Sequence, residues 1–171
     1  MIVVTSARAV KAYGVSASKG IPEGIPWLDG WRLDRTDDVH PGTRAVISNL
    51  VTLYTFVIPI DVEPGIDAIL DYFRMRLGFT LASMRPGLEL PFCSPDDRTP
   101  VKFVTGNPRK VIGCMNQVMM SLSFSSFPVG QDFNLSAENS INTMPVLTLV
   151  DGDGGFPDLE FKRRLETGTS T

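Results

Sequence analysis

One run of the chain, Pro100 to Ser123 (P-V-K-F-V-T-G-N-P-R-K-V-I-G-C-M-N-Q-V-M-M-S-L-S), spells a strand, a turn and an amphipathic helix in succession. Val101, Phe103 and Thr105 alternate with Lys102 and Val104, the period of a half-buried strand. Gly106 frees the backbone for a turn, Asn107 suits the N-cap and Pro108 suits the first helical position. Val111, Met115, Val118, Met119 and Leu122 then recur at helical spacing, with Ile112 and Cys114 widening the apolar face. Gly113 inside this helix weakens it by roughly 1 kcal/mol against Ala, so close approach of another backbone is expected there.

The same run carries the candidate site. Arg109 and Lys110 occupy the first helical turn, where the helix dipole favours acids over bases. Orphan N–H groups plus two cations suit a phosphate or a nucleic-acid backbone, so Asn107, Arg109 and Lys110 are read as an anion site, with Asn116 as a further polar candidate. The plain alternative is two solvated charges, or partners for acids elsewhere in the fold.

The remainder reads as elements for this unit to pack against. Met1 to Thr5 suits a strand, and Ser6 caps a short helix, Ala7 to Tyr13, that Gly14 ends. Ser16 to Pro26 is loop-like. Trp27, Trp31 and Leu33 open a sheet, and D-R-T-D-D-V-H-P-G from Asp34 reads as a turn-rich connection. Ala45 to Ser48 and Tyr54 to Ile58 form two arms of an antiparallel hairpin, with Asn49 to Thr52 between them. Ile66, Ile69, Leu70, Phe73 and Leu77 stripe a helix over Pro64 to Leu77, with Gly78 at its C-terminal cap. Phe79 to Thr99 reads as irregular. Met144 to Val150 suits one late strand, and residues 151–171 read as a flexible tail on a domain spanning 1–150.

At 171 residues with 43% apolar side chains, one domain with a full core is expected. A net charge of −3 argues against a general nucleic-acid binder while leaving room for a local basic patch. Two cysteines, Cys93 and Cys114, make neither a disulfide framework nor a zinc site, which points to a reducing cytoplasm. The first residues lack a signal-peptide pattern, and no segment is long enough to span a membrane. Asp37, Asp38 and His40 match no metal template, and Asp151 and Asp153 lack the later ligands of a calcium loop. His40 is the only histidine, and phosphate-loop, dinucleotide and nucleophile-elbow motifs are missing, so neither metal nor cofactor is expected. Met115, Met119 and Met120 read as core packing.

Two strings carry a resemblance: S-N-x-x-T-x-Y-x-F-x-I, from Ser48 to Ile58, and N-P-R-K-V-I-G-C-M-N, from Asn107 to Asn116. With M-I-V-V-T-S-A-R-A-V-K-A-Y at the start, the chain resembles, over roughly 1–122, a bacterial family catalogued as a domain of unknown function, number 6933. That resemblance implies a strand and short helix, a Trp-bearing strand, a hairpin, a helix, then a strand and closing helix. It implies no activity, and hints at a link to mobile elements. The fold expected is α+β: a small, mainly antiparallel sheet with helices at about 64–77 and 108–122 and a short N-terminal helix. The function expected is a non-catalytic binding or regulatory module with a protein or nucleic-acid partner. The alternative is a small enzyme acting on a phosphate-bearing substrate, such as a toxin-type nuclease.

Overall fold

The computed structural model describes residues 1–36, 44–60, 65–86, 100–106, 109–124, 133–146 and 154–168. These form β1 (Ile2–Thr5), α1 (Ala7–Tyr13), β2 (Ser18–Lys19), β3 (Gly30–Thr36), β4 (Arg44–Asn49), β5 (Thr55–Pro59), α2 (Ile66–Met84), β6 (Lys102–Thr105), α3 (Arg109–Phe124), α4 (Phe133–Thr143) and α5 (Pro157–Thr167). The fold is α+β, built on a mixed six-stranded sheet in the order β2-β6-β1-β3-β4-β5. The antiparallel expectation holds for β3, β4 and β5. The other half is parallel: β1 pairs with both β3 and β6, and β6 with β2. The helical crossovers between these strands allow that, since parallel neighbours need a long return connection.

Helices cover both faces of the sheet. Trp31, Leu33, Ala45, Ile47, Phe56 and Ile58 point to one face and pack with Phe73 and Leu77 of α2 and Phe161 and Leu165 of α5. Val46 and Val57 point to the other and share a cluster with Val111, Met115 and Val118 of α3 and Ala137 and Ile141 of α4. Every residue of β4 is buried, which is why it reads as a run (A-V-I) and not an alternation.

Several local signals behave as their chemistry dictates. The Ser6 hydroxyl accepts from the Ala9 N–H, and Gly14 ends α1 at φ 63°. The hairpin turn is held by one side chain. Asn49 Oδ1 accepts from the N–H groups of Val51 and Thr52, while its Nδ2 donates to the carbonyls of Trp27 and Gly30.

Five expectations are corrected. Met120, expected to pack in the core with Met115, is 60% exposed. α2 runs through Gly78 to Met84, because Leu81 continues the buried stripe one turn beyond Leu77. The polar run after Leu33 is not all turn: Asp34, Arg35 and Thr36 belong to β3. The expected flexible tail contains α5, whose Phe161 and Leu165 enter the core and whose end is tied to α2 by a hydrogen bond from Arg85 Nη1 to the Leu165 carbonyl. Among the described residues, nothing lies within 4 Å of where a Cβ on Gly113 would sit. The close approach falls instead at Gly106, where a Cβ would lie 2.5 Å from Ile21 Cγ1. Of the expected late strand, residues 144–146 are described, and Val146 makes a single bridge with Gly155.

The open side of β5 is closed by side chains of α4. Asn142 Oδ1 accepts from the Thr55 N–H at 2.8 Å and its Nδ2 donates to the Thr55 carbonyl at 2.9 Å. One turn earlier, Glu138 Oε2 accepts from the Val57 N–H at 3.1 Å. The two side chains thus stand in for a seventh strand and shield an edge that would otherwise template pairing with another chain.

Candidate anion-binding site

Arg32, Asp34 and Thr36 are spaced by two along β3 and therefore share one face of the sheet. It is the face away from Trp31 and Leu33, on the side of α3 and α4. Antiparallel register sets Arg44 opposite Thr36 and Ser48 opposite Arg32, and parallel register sets Val4 beside Arg32 and Val104 beside Val4. β1, β3 and β6 run the same way, so the residues from Arg32 to Thr36 lead to the rim formed by the carboxyl ends of the parallel strands. Open α/β sheets present their ligand crevices at that rim.

The polar groups here are buried. Arg32 is 6% exposed, Thr36 and Arg44 3% each. Arg32 Nε donates to Asp34 Oδ2 at 2.6 Å and Nη2 to Oδ1 at 3.4 Å. This leaves Arg32 Nη1 and the Thr36 hydroxyl buried with no hydrogen-bond partner among the described residues. A buried unpaired donor costs about 1–3 kcal/mol, and more when charged, so native folds seldom keep one without a use. The cluster sets two buried guanidinium groups, Arg32 and Arg44, on one face of the sheet, with Asp34 paired to Arg32. It can offer an oxyanion a charged N–H and a hydroxyl in a dry setting, where such bonds are strong.

The residues singled out in the sequence fall around this cluster unevenly. Asn107 lies outside the described residues. Arg109 and Lys110 do open α3, with helical backbone and with side chains outside the description. Val111, in the same first turn, is buried in one cluster with Val46, which pairs across from Asp34. The start of α3 thus belongs to the face that bears Arg32. Asn116 is exposed, seven residues along the helix and so roughly 10 Å from Arg109. Asp37, Asp38, His40, Cys93, Asp151 and Asp153 lie outside the described residues, and among the described ones no three His, Cys, Asp or Glu side chains gather as metal ligands. Arg32, Asp34, Thr36 and Arg44 were missed by the sequence reading. Their signal was the alternation W-R-L-D-R-T, which continues the strand past Leu33.

A second polar cluster is consumed by the fold. Glu138 Oε1 accepts from Arg76 Nη2 at 2.7 Å, while its other oxygen holds the Val57 N–H. Burial first, and then the nearby Glu138 charge, push the Tyr54 phenol up to about 12. A cleft of about 340 Å³ between α3 and α4 is mainly apolar, lined by Gln117, Val118, Met120, Ile141 and the run Met144 to Val146. No helix among the described residues is long and apolar enough to cross a membrane.

In comparisons with protein-family models, curated proteins and solved structures, the chain matches none.

Proposed function

We propose that the protein is a non-catalytic binding module that receives an oxyanion of its partner at the carboxyl rim of the parallel strands. The observation that carries this reading is the buried guanidinium of Arg32, whose Nη1 has no hydrogen-bond partner among the described residues, with the likewise unpartnered Thr36 hydroxyl four residues along the same face of β3. Arg109 and Lys110, at the start of α3, supply the outer positive charge in this reading. The partner is a nucleic acid or a protein bearing phosphate or carboxylate groups. A bacterial, cytoplasmic setting and the family kinship suggested by the sequence motifs belong to the same proposal. Binding is favoured over hydrolysis because Asp34, the carboxylate of the cluster, is spent on Arg32 and not poised as a base.

The test is calorimetric titration with inorganic phosphate, then with a short oligonucleotide and a phosphopeptide, at two salt concentrations. Thr36→Val keeps the side-chain shape and removes the hydroxyl. It should weaken phosphate about tenfold while leaving the fold equally or more stable, since an unpaired buried hydroxyl is replaced by a methyl. Arg109→Ala with Lys110→Ala should reduce the salt dependence and keep the fold. Absence of salt-sensitive binding, or binding untouched by Thr36→Val, refutes the proposal.

A further inference from the structure

A guanidinium presents its N–H groups as two forks, each shaped for a pair of oxygens. In Arg32 the fork of Nε and Nη2 is taken by Asp34. The other fork runs from Nη2 to Nη1, and Nη1 has no hydrogen-bond partner among the described residues. Ser48, opposite Arg32 in register, does not fill it, because its hydroxyl is bonded to that of Thr55 at 2.7 Å. Asp34 lies two residues nearer the end of β3, so the pairing turns the guanidinium along the strand in the direction of Thr36. An oxyanion that fills the open fork with two oxygens has a hydroxyl donor further along the same face.

The strand order provides a way in. β1 and β6 are parallel neighbours. β1 leads into α1, whose Ala9 lies in the cluster of Trp31 and Phe73, whereas β6 is followed by α3, whose Val111 and Met115 lie in the cluster on the opposite face. Where adjacent parallel strands send the chain to opposite faces, a crevice opens beyond their carboxyl ends. Arg32 pairs with Val4, one residue before the end of β1, and so stands about 5 Å to one side of this crevice, on the face of α3.

We infer that the site takes an isolated phosphate monoester, the phosphorylated side chain of a protein partner, held end-on by the open fork of Arg32. The inference rests on the oxyanion reading above and narrows its partner. Depth decides for a monoester. Arg32 is 6% and Thr36 3% exposed. A monoester reaches such donors on one slender stem and brings a third oxygen for Thr36. A nucleic-acid backbone phosphate has a chain leaving on both sides, and a carboxylate has no third oxygen. Charge decides for a protein. A strand of nucleic acid brings further phosphates that must each be neutralised, and this chain has a net charge of −3. A phosphorylated side chain brings one anion in a neutral peptide setting.

Calorimetry on the full chain tests this at about 0.15 M salt, with the Arg32 guanidinium resonance as the marker of the site. The probes are inorganic phosphate, glycerol phosphate, dimethyl phosphate, acetate, a glycine-flanked phosphoserine peptide and a short oligonucleotide with a terminal phosphate. The phosphopeptide should bind at least as tightly as glycerol phosphate, and at least about tenfold tighter than dimethyl phosphate or acetate. Arg32→Lys keeps the charge and loses the fork, and should weaken the phosphopeptide at least about tenfold; if that variant does not fold, the wild-type ligand series decides alone. Dimethyl phosphate or acetate within about threefold of the phosphopeptide overturns the end-on monoester while the oxyanion reading stands. A phosphopeptide bound more than about tenfold more weakly than glycerol phosphate, or than the oligonucleotide, overturns the protein partner. No response of Arg32 to inorganic phosphate removes the oxyanion reading itself, and this inference with it.

Discussion

Replacing Phe161 by Ala should remove a large part of the stability of this protein, although the residue lies ten positions from the end of the chain. The ring is fully buried. It sits 5.3 Å from the Trp27 ring in an edge-on arrangement, 4.6 Å from Tyr54 and 6.4 Å from Trp31. Truncating a buried Phe costs about 3–5 kcal/mol, and the close aromatic neighbours place this site at the upper end. We expect about 5 kcal/mol, against the 5–15 kcal/mol typical of a whole domain. Urea denaturation followed by far-ultraviolet circular dichroism reads this directly. With a slope of about 2 kcal/mol per molar, the midpoint should fall by roughly 2–2.5 M. Arg163→Ala, on the solvent side of the same helix, should stay within about 0.5–1 kcal/mol of wild type. A midpoint shift under about 0.3 M for Phe161→Ala would show that α5 does not dock, and the reasoning would fail.

Gly113→Ala should stabilise the chain by about 0.5–1 kcal/mol, because the glycine is helical and exposed with open space beside it; a loss on thermal melting would contradict this. Asn142→Ala should cost about 2 kcal/mol or more and promote aggregation, since it bares the N–H and C=O of Thr55 on the outer edge of β5; unchanged solubility and melting would count against the edge-cover account. For Tyr54 the ordinary value is 10.0 and the folded value about 12. Between those pH values the unfolded chain has released the phenol proton and the native chain has kept it. Stability should therefore fall as pH rises through that window, by roughly 2–3 kcal/mol in all. Tyr54→Phe should flatten that part of the pH profile, and an equal slope in both proteins would exclude the phenol as its source.

How much of this was legible in the sequence depends on whether an element buries apolar or polar side chains. β1, α1, the β4–β5 hairpin and the core faces of α2 and α3 could be read because their apolar residues keep the period of their element. α4 could not, because two of its inward positions are Glu138 and Asn142, which look solvent-facing until the unpaired edge of β5 supplies their partners. α5 was hidden by the polar composition around it, yet its local punctuation is clear in hindsight. Pro157 stands in the first turn with Asp158 and Glu160, Arg164 in the last, and Gly168 caps the end at φ 63°. Phe161 and Leu165, one turn apart, give it a narrow apolar face. The site shows the same division. The helix-start chemistry of Arg109 and Lys110 is local and visible. Arg44 joins Arg32 and Thr36 only through strand pairing, and D-R-T resembles a turn when read alone.

The most direct measurement is nitrogen-detected or proton-detected NMR of the arginine side chains during titration with inorganic phosphate. If the buried face of β3 is the binding site, the guanidinium resonances of Arg32 and the backbone amide of Thr36 should shift first and saturate together. Those of solvent-facing Arg163 should drift only weakly. Shifts confined to exposed arginines, or none at Arg32 at about 50 mM phosphate, would contradict the account.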